Sequence, residues 1–266
     1  MNSIRIFIFS SLCLSNVNNL QAQQFQVGRV LVAKSKTTVK TVIQMQPGME
    51  MEVPIKGENT TEIAISSVAD QVVQGTVELK KIKGSVTMMG QEQSFDSDDN
   101  TSLSNPLVQN MLKSLSTKVP FILKKGVSDA KLTTTELVQS NGNDIVWKLT
   151  LPTTQLATLK ENNQWIDTIA EKETGSSVIT NYNVTKIGNQ EVWVDGIAEV
   201  KFNNTIEQMG MQMKQHLIGT ISFKRIYNEK GVLKSETRST NLSGKMDAMG
   251  QQMPVKMIGN LETTIE

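Results

Sequence analysis

The sequence is poor in the residues that build most disulfide, metal and catalytic sites. Its 266 residues include one cysteine, Cys13, one histidine, His216, three tryptophans and two tyrosines. Cys13 lies within the amino-terminal apolar run from Ile6 to Leu14, and no other thiol follows it. If export removes that run, disulfides, thiolate metal sites and cysteine nucleophiles are excluded from the mature chain.

Residues 1–22 are typical of a secretory signal peptide. A single positive charge, Arg5, precedes the apolar run, which is too short to span a bilayer as a helix, and Ala22 occupies the position read before cleavage. We therefore expect secretion across the inner membrane, a mature chain that begins at Gln23, and a location in the periplasm or cell envelope. A retained membrane anchor is the alternative interpretation.

The chain has no excess of charge of either sign. Export removes one basic residue, Arg5, from the 27 in the chain and none of the 26 acidic ones, so the mature formal charge is zero. Nucleic acids and anionic membranes attract basic stripes or clusters, and the densest basic stretch, at residues 80–83, is too small for either. We expect no nucleic-acid partner and no transmembrane segment in the mature chain.

Motifs that carry catalysis are also missing. The chain contains no Gly-x-Ser-x-Gly nucleophile turn and no Gly-x-Gly-x-x-Gly phosphate loop, and a lone histidine such as His216 is usually structural. The acidic loop from Asp96 to Asn100 begins like a calcium-binding loop but lacks the glycine and the bidentate glutamate at the required positions. We expect that the protein is not an enzyme and uses neither a cofactor nor a metal ion.

Polar and apolar residues alternate over long stretches, most clearly in residues 49–56 and 253–257. A period of two indicates strands with one buried face, and the abundant Thr, Val and Ile favour strands. The pattern predicts a mainly β, β-rich α+β fold, in which a strongly curved antiparallel sheet or an incomplete barrel carries two short helices. A two-layer sandwich is the alternative. Without a proline-rich or low-complexity linker, residues 23–266 are expected to form a single domain.

Residues typical of turns and helices separate the alternating segments. Hairpins are predicted at Asn141-Gly142, at Gly188-Asn189 and at residues 228–231. Apolar residues at helical spacing occur in two places, which predicts helices near 105–116 and 154–171 that cover one opening of the sheet.

Four glycines that separate alternating segments indicate an internal repeat. Gly48 and Gly90 are 42 residues apart, and Gly210 and Gly250 are 40 apart. This spacing suggests two similar four-stranded units, at about 27–95 and 176–266, on either side of a helix-containing middle. Similar spacing would also arise without duplication in any protein of long strands.

Methionine is the residue type with an unusual distribution. The chain has 14 methionines, of which twelve lie within seven residues of those glycines: Met45, Met49, Met51, Met88, Met89, Met209, Met211, Met213, Met246, Met249, Met253 and Met257. Even spacing within a strand projects side chains to one face, so the hairpins should gather them into one surface. The residues expected to bind ligand are Met49, Met51, Met211, Met213, Met253 and Met257.

A methionine surface favours an apolar ligand. The side chain is unbranched and polarizable, so it adapts to irregular apolar shapes. The sequence therefore indicates a secreted binding protein for a lipid or another apolar molecule. The alternatives are that these methionines fill the core of a structural or protein-interaction module of the envelope, or that their thioethers handle copper(I).

These segments also resemble a known family. The stretch Met49-Glu50-Met51-Glu52-Val53, then Met89-Gly90-Gln91 with Phe95-Asp96-Ser97, is similar to secreted Bacteroidota proteins of a domain of unknown function, and so is Met249-Gly250-Gln251-Gln252-Met253. This resemblance implies a bacterial envelope location and no established activity. More loosely, long alternating strands with short helices resemble the lipoprotein carriers of the LolA and LppX type, which is an analogy of fold.

Overall fold

The computed structural model describes residues 25–69, 72–88, 90–99, 115–124, 127–128, 145–151, 159–188, 190–208, 211–248 and 250–266. Long strands account for most of these residues, because alternating Thr, Val, Ile and polar residues suit a sheet with one buried face. The strands are β1 (Val30–Gln46), β2 (Met49–Ala69), β3 (Val72–Met88), β4 (Gln91–Asp96), β5 (Lys118–Lys124), β6 (Val127–Ser128), β7 (Gln164–Glu171), β8 (Ser176–Ile187), β9 (Glu191–Gln208), β10 (Met211–Asn228), β11 (Leu233–Ala248) and β12 (Gln251–Ile265), and one helical turn, α1 (Ile145–Lys148), lies between β6 and β7.

All twelve strands belong to one antiparallel sheet. Their order is β6-β5-β3-β2-β1-β12-β11-β10-β9-β8-β7, with β4 paired to the far end of β3. Pairing of β1 with β12 joins the two halves of the chain. Within the described residues β6 and β7 are the outermost strands and do not pair with each other, so the sheet is open. The predicted antiparallel sheet is confirmed, and the alternative of two stacked sheets is not found among these strands.

The sheet curves strongly around its inner face. Val73 and Leu123 on one side and Val184 and Val194 on the other belong to the same buried apolar cluster. In a flat sheet, β3, which carries Val73, and β9, which carries Val194, would be about 29 Å apart, because they are six strand steps apart and neighbouring strands are separated by about 4.8 Å. Curvature brings these side chains together.

The inner face follows from the alternation along each strand. On β12 every second residue from Met253 to Thr263 is buried or half-buried, while the residues between them are exposed. The outer face carries ion pairs such as Lys34–Glu266 and Lys83–Glu58, both with N···O distances of 2.8–2.9 Å. Pairs this exposed contribute little to stability, so burial on the inner face holds the sheet together.

The inner face holds two large apolar clusters. The first surrounds α1 and residues 149–151 and includes Leu31, Ile63, Phe121 and Tyr227. The second lies toward the opposite end of the sheet and contains Ile43, Phe202, Leu217, Ile221, Leu242, Val255, Met246 and Met253.

The hairpin glycines lie where the sequence places them. Gly48, Gly90 and Gly250 have φ values of 83°, 78° and 75°, in the left-handed region that glycine adopts without strain. Gly210 lies outside the described residues, but Met211 pairs with Gln208 on either side of it. All four reversals fall at the same end of the sheet. The predicted duplication into two units stays a prediction.

Of the three other predicted hairpins, two are found in the structure and one lies outside the described residues. β8 and β9 reverse at residues 188–190, and β10 and β11 reverse at 228–231, where the Asn228 side chain accepts hydrogen bonds from the backbone of Lys230 and Val232. These two predictions are confirmed. The Asn141-Gly142 hairpin lies outside the described residues, as does the signal segment 1–22.

The helix predicted over 154–171 is wrong for residues 164–171, which form strand β7. Trp165 and Ile169 are four residues apart, a spacing that fits both one helical turn and one strand face, and β-prone residues surround them. Pairing with β8 decides the outcome, and it leaves Ile166 on the outer face with 68% of its surface exposed. Of the helix predicted over 105–116, residues 105–114 lie outside the described residues.

Candidate functional site

The predicted methionine surface is partly assembled at the hairpin end of the inner face. We call Met51, Met213, Met246, Met253 and Met257 the methionine cluster, because all five belong to the second apolar cluster or pack against it. Met246 and Met253 face each other across β11 and β12 and are buried, while the other three are half-buried. The cluster thus has a packed centre and a margin of half-buried side chains.

Two predicted methionines differ from this arrangement. Met49 lies at the start of β2 with 59% of its surface exposed, so it extends past the cluster at the hairpin end. Met211 begins β10, opposite Gln208, and its side chain lies outside the described residues. Three clefts of about 700, 490 and 430 Å³ are lined by described residues, and none of these three contains a methionine.

A row of aromatic rings crosses the inner face beyond the second cluster. Trp165 and Tyr182 stack with centroids 4.9 Å apart, and Tyr182 lies 5.5 Å from Phe223. Gly196 occupies the position between Tyr182 and Phe223 in the cross-strand register. A Cβ atom there would lie 2.1 Å from Cζ of Phe223, so only glycine permits this packing.

Next to this row lies a buried group of charges that we call the ion cluster: Lys148, Arg225 and Glu236. Lys148 on α1 donates to Oε2 of Glu236, and Arg225 Nε donates to Oε1 of the same carboxylate at 3.1 Å. The Arg225 guanidinium also lies 3.9 Å above the Phe223 ring. The exposed fractions of the three side chains are 4%, 9% and 0%, so the cluster is shielded from water.

The ion cluster controls the protonation of its carboxylate. Burial alone raises the pKa of Glu236, but Lys148, Arg225 and Arg238 together outweigh burial and hold that pKa well below the ordinary value of 4.5. Burial raises the pKa of the neighbouring Tyr227 hydroxyl to about 12, although Arg225 opposes the shift. At neutral pH the cluster therefore contains an ionised carboxylate beside a neutral phenol.

Sequence reasoning missed the ion cluster, although a signal for it existed. On β10 the inner face carries Leu217, Gly219, Ile221 and Phe223 at every second position, and Arg225 continues the same series. A charged residue in the register of buried apolar ones indicates a buried partner. The partners come from β11 and α1, and no local pattern specifies that pairing.

Other candidates from the sequence lie on the surface. His216 is exposed, and its Nδ1 is 2.9 Å from Oδ1 of Asn203. In the acidic loop, the backbone N–H of Asp98 donates to Asp96, and Lys81 pairs with Asp98. In the described part of the chain, no three His, Cys, Asp or Glu side chains come together to hold a metal ion, and no helix is long and apolar enough to cross a membrane.

Comparisons with known proteins give a match of fold. No protein-family model matches the chain, and no curated protein matches its sequence. A solved structure of lipovitellin, described for its lipid–protein interactions, aligns with 91% of this chain at 14% identity and a TM-score of 0.50. The chain shares a fold with part of lipovitellin. It spans about a quarter of that protein, because the alignment covers 25% of the lipovitellin chain.

Two bacterial structures align less well. An outer membrane channel from Pseudomonas putida F1 aligns over 91% of this chain and 97% of its own at 7% identity and a TM-score of 0.28. OpdQ from Pseudomonas aeruginosa aligns over 90% and 99% at 4% identity and a TM-score of 0.21. Such scores support no argument about this chain. The resemblances to the Bacteroidota family and to the lipoprotein carriers stay predictions.

Proposed function

We propose that this protein binds a lipid or another apolar molecule on the inner face of its curved sheet, at the methionine cluster. The observation that carries the proposal is the half-buried margin of that cluster, where Met51, Met213 and Met257 pack against the second apolar cluster without being enclosed by it. A packed core would bury these side chains fully, whereas a ligand surface keeps part of each one accessible.

The chemistry of the inner face supports an apolar ligand. Inner positions on β1 from Leu31 to Ile43, and on β12 from Met253 to Ile265, carry no charged side chain. The lysines and glutamates of the same strands face outward. The fold shared with part of lipovitellin, whose structure is described for lipid–protein interactions, agrees with this proposal.

A second candidate function is a structural or protein-interaction module of the envelope. Large apolar side chains on the outer face favour it, since Ile166, Ile197 and Ile218 are 68%, 55% and 62% exposed. Ile166 and Ile197 flank Asn181 in one cross-strand row. Exposed isoleucines on a sheet are typical of protein contacts when they are contiguous.

The proposal also includes a non-catalytic role after export to the periplasm or cell envelope. Amino-terminal sequencing of protein recovered from the envelope fraction should begin at Gln23. Recovery of the intact precursor in membranes would instead indicate a retained anchor.

Native mass spectrometry of protein purified from its own host tests the proposed function. We expect an added mass that organic extraction removes and that lipid analysis identifies. Binding of a fluorescent fatty acid to delipidated protein should then saturate. A protein without added mass that leaves the probe unbound would favour the structural module, and an added mass of copper would favour the copper(I) alternative.

A further inference from the structure

Residues 145–151, which we call the inner segment, lie outside the twelve strands and pack against the inner face of the sheet. Other members of the first apolar cluster lie on strands near both ends of the strand order, such as Phe121 on β5 and Val184 on β8. The inner segment therefore occupies the inner face between the two sides of the curved sheet. Four of its side chains belong to this cluster and are between 0% and 4% exposed: Ile145, Val146, Leu149 and Leu151.

A short stretch of backbone attaches the inner segment to the sheet. Among the described backbone hydrogen bonds, Leu151 N donates to Gly231 O at 2.8 Å, and Leu233 N donates to Leu149 O at 2.9 Å. Both bonds involve the turn between β10 and β11. By comparison, β10 pairs with β9 along all 18 of its residues. The inner segment could therefore leave the sheet without breaking the pairing between strands.

The ion pair of the inner segment can also be given up. Glu236 accepts hydrogen bonds from Lys148 and from Arg225 Nε, and the nearby charge of Arg238 also lowers the pKa of this carboxyl. If Lys148 left, Glu236 would keep the two arginines of the sheet, and the Lys148 ammonium would regain its hydration. Breaking a buried ion pair is most costly when it leaves a buried charge uncompensated. Departure of the inner segment leaves no such charge.

A cleft of about 430 Å³ reaches the point of attachment. Leu31, Val232 and Leu233 line it, and all three belong to the first apolar cluster. Val232 is also the residue that lies opposite Thr150 of the inner segment in an isolated β-bridge. A molecule in this cleft would thus contact the first cluster directly beside the inner segment.

We propose that the inner segment covers a second apolar binding site, and that an acyl chain entering through the cleft displaces it. This inference goes beyond the proposed function, because the methionine cluster lies toward the opposite end of the sheet. The four apolar side chains of the inner segment contain about 15 carbon atoms, close to the number in palmitate. Exchange of one apolar occupant for another keeps the buried apolar area nearly constant, so the ligand replaces the contacts that the segment gives up.

A disulfide that locks the inner segment to the sheet provides the test. In Thr150→Cys/Val232→Cys, the cysteines replace the two residues of the isolated bridge. The hydrogen bonds of the flanking residues make this a non-hydrogen-bonded pair, with Cα atoms about 4.5 Å apart, a distance that disulfides span. Cys13→Ser removes the only native cysteine from every protein compared. The single variants Thr150→Cys and Val232→Cys are matched controls, since neither can form the bond.

Titration with a fluorescent analogue of palmitate measures how many probe molecules each chain binds. The reduced double variant should bind two, one at the methionine cluster and one at the site beneath the inner segment. The oxidised double variant should bind one, because the lock keeps the second site covered. Both single variants should bind two, with or without reductant.

Amide hydrogen exchange of wild type gives a second readout. Saturating palmitate should make the amides of residues 145–151 exchange at least about tenfold faster, because the displaced segment loses its protection. A ligand that packs against the segment without displacing it would slow exchange instead. In the oxidised double variant the acceleration should be absent.

Equal probe stoichiometry in the oxidised and reduced double variant would overturn the inference and leave the proposed function intact. Unchanged or slower exchange of residues 145–151 with palmitate would do the same, and this experiment uses wild type, so it decides the question even if the cysteine variant does not fold. Loss of all probe binding on oxidation, restored by reductant, would support the second site and contradict the methionine site. If wild type binds no probe, both proposals fail.

Discussion

Gly196 is the residue on which the aromatic row depends. Its missing side chain leaves room for the Phe223 ring, which in turn supports the Arg225 guanidinium. The backbone at Gly196 is ordinary strand, so space and not conformation requires glycine here. Adding a methyl group at position 196 should therefore disturb both the aromatic row and the ion cluster.

Gly196→Ala should destabilise the protein by about 1–3 kcal/mol through overpacking. Gly57→Ala is the matched control, because its Cβ would meet nothing closer than the Lys83 carbonyl oxygen at 3.8 Å. Chemical denaturation of both variants provides the comparison. If the two variants had equal denaturation midpoints, the Phe223 ring would move aside at no cost in stability. The aromatic row would then not be tightly packed.

The burial of each methionine in the cluster should determine whether its substitution affects ligand binding or stability. The double variant Met51→Gln/Met257→Gln changes half-buried side chains, so we expect a stable protein with weaker uptake of a fluorescent fatty acid. Met246→Gln/Met253→Gln polarises buried side chains and should cost on the order of 2–5 kcal/mol for each site. Melting temperature and probe binding are both measured on each of the two double variants. Loss of folding in the first pair would indicate a filled core and contradict the carrier proposal.

At the scale of elements, the ion cluster attaches α1 to the sheet. Lys148 reaches Glu236 on β11, and residues 149–151 pair with the β10–β11 turn through Leu151 N to Gly231 O at 2.8 Å and Leu233 N to Leu149 O at 2.9 Å. This segment lies in the first apolar cluster, on the inner face. Charge and backbone pairing together hold it there.

Removing the carboxylate should release this attachment. Glu236→Gln leaves Lys148 and Arg225 buried without their shared anion, which costs about 3–5 kcal/mol. Urea denaturation at pH 7 measures the loss. The conservative Glu236→Asp variant, which keeps the charge on a shorter side chain, should be less destabilised, and equal losses in both would show that packing and not charge matters.

The same carboxylate predicts the acid stability of the protein. Because the folded state holds the pKa of Glu236 below 4.5, its contribution is complete above pH 4.5 and decreases as the pH falls toward the folded-state pKa. Wild type should therefore lose stability progressively below about pH 4.5, and Glu236→Gln should show a smaller slope there. Parallel slopes would mean that other carboxylates dominate the acid response.

At the scale of the whole molecule, the sheet joins the two halves of the chain. Eleven positions of β1 pair with β12, from Ala33 with Ile265 to Ile43 with Val255. The seven consecutive strands from β3 to β9 have 15 to 21 residues each, whereas β7 has 8 and pairs on one side only within the described residues. Local opening should therefore begin at β7 and leave the central strands paired.

Amide hydrogen exchange provides the test of this gradient. Amides of β7 should exchange at least about tenfold faster than those of β10 and β12, since edge strands open without global unfolding. Mass spectrometry of peptides from these strands measures the rates. Protection of β7 equal to that of β10 would mean that another segment pairs with its outer edge.

Alternation of polar and apolar residues was enough to predict strands with one buried face over residues 49–56 and 253–257. A period of two places Met253, Val255 and Met257 on one face of a strand without reference to the fold, because side chains of a strand alternate. The glycines at 48, 90 and 250 specify hairpin reversals, since only glycine adopts a positive φ at low cost. These features are local, so one sequence is enough to find them.

Tertiary structure alone decided which distant residues meet. Residues 164–171 fit either a helix or a strand, and pairing with β8 selected the strand. Lys148 and Glu236 are 88 positions apart, so no local pattern could join them. The even spacing of the methionines predicted a shared face, but packing decided that Met253 is buried and Met49 exposed. Burial depends on what the curved sheet brings opposite each side chain, which local sequence does not specify.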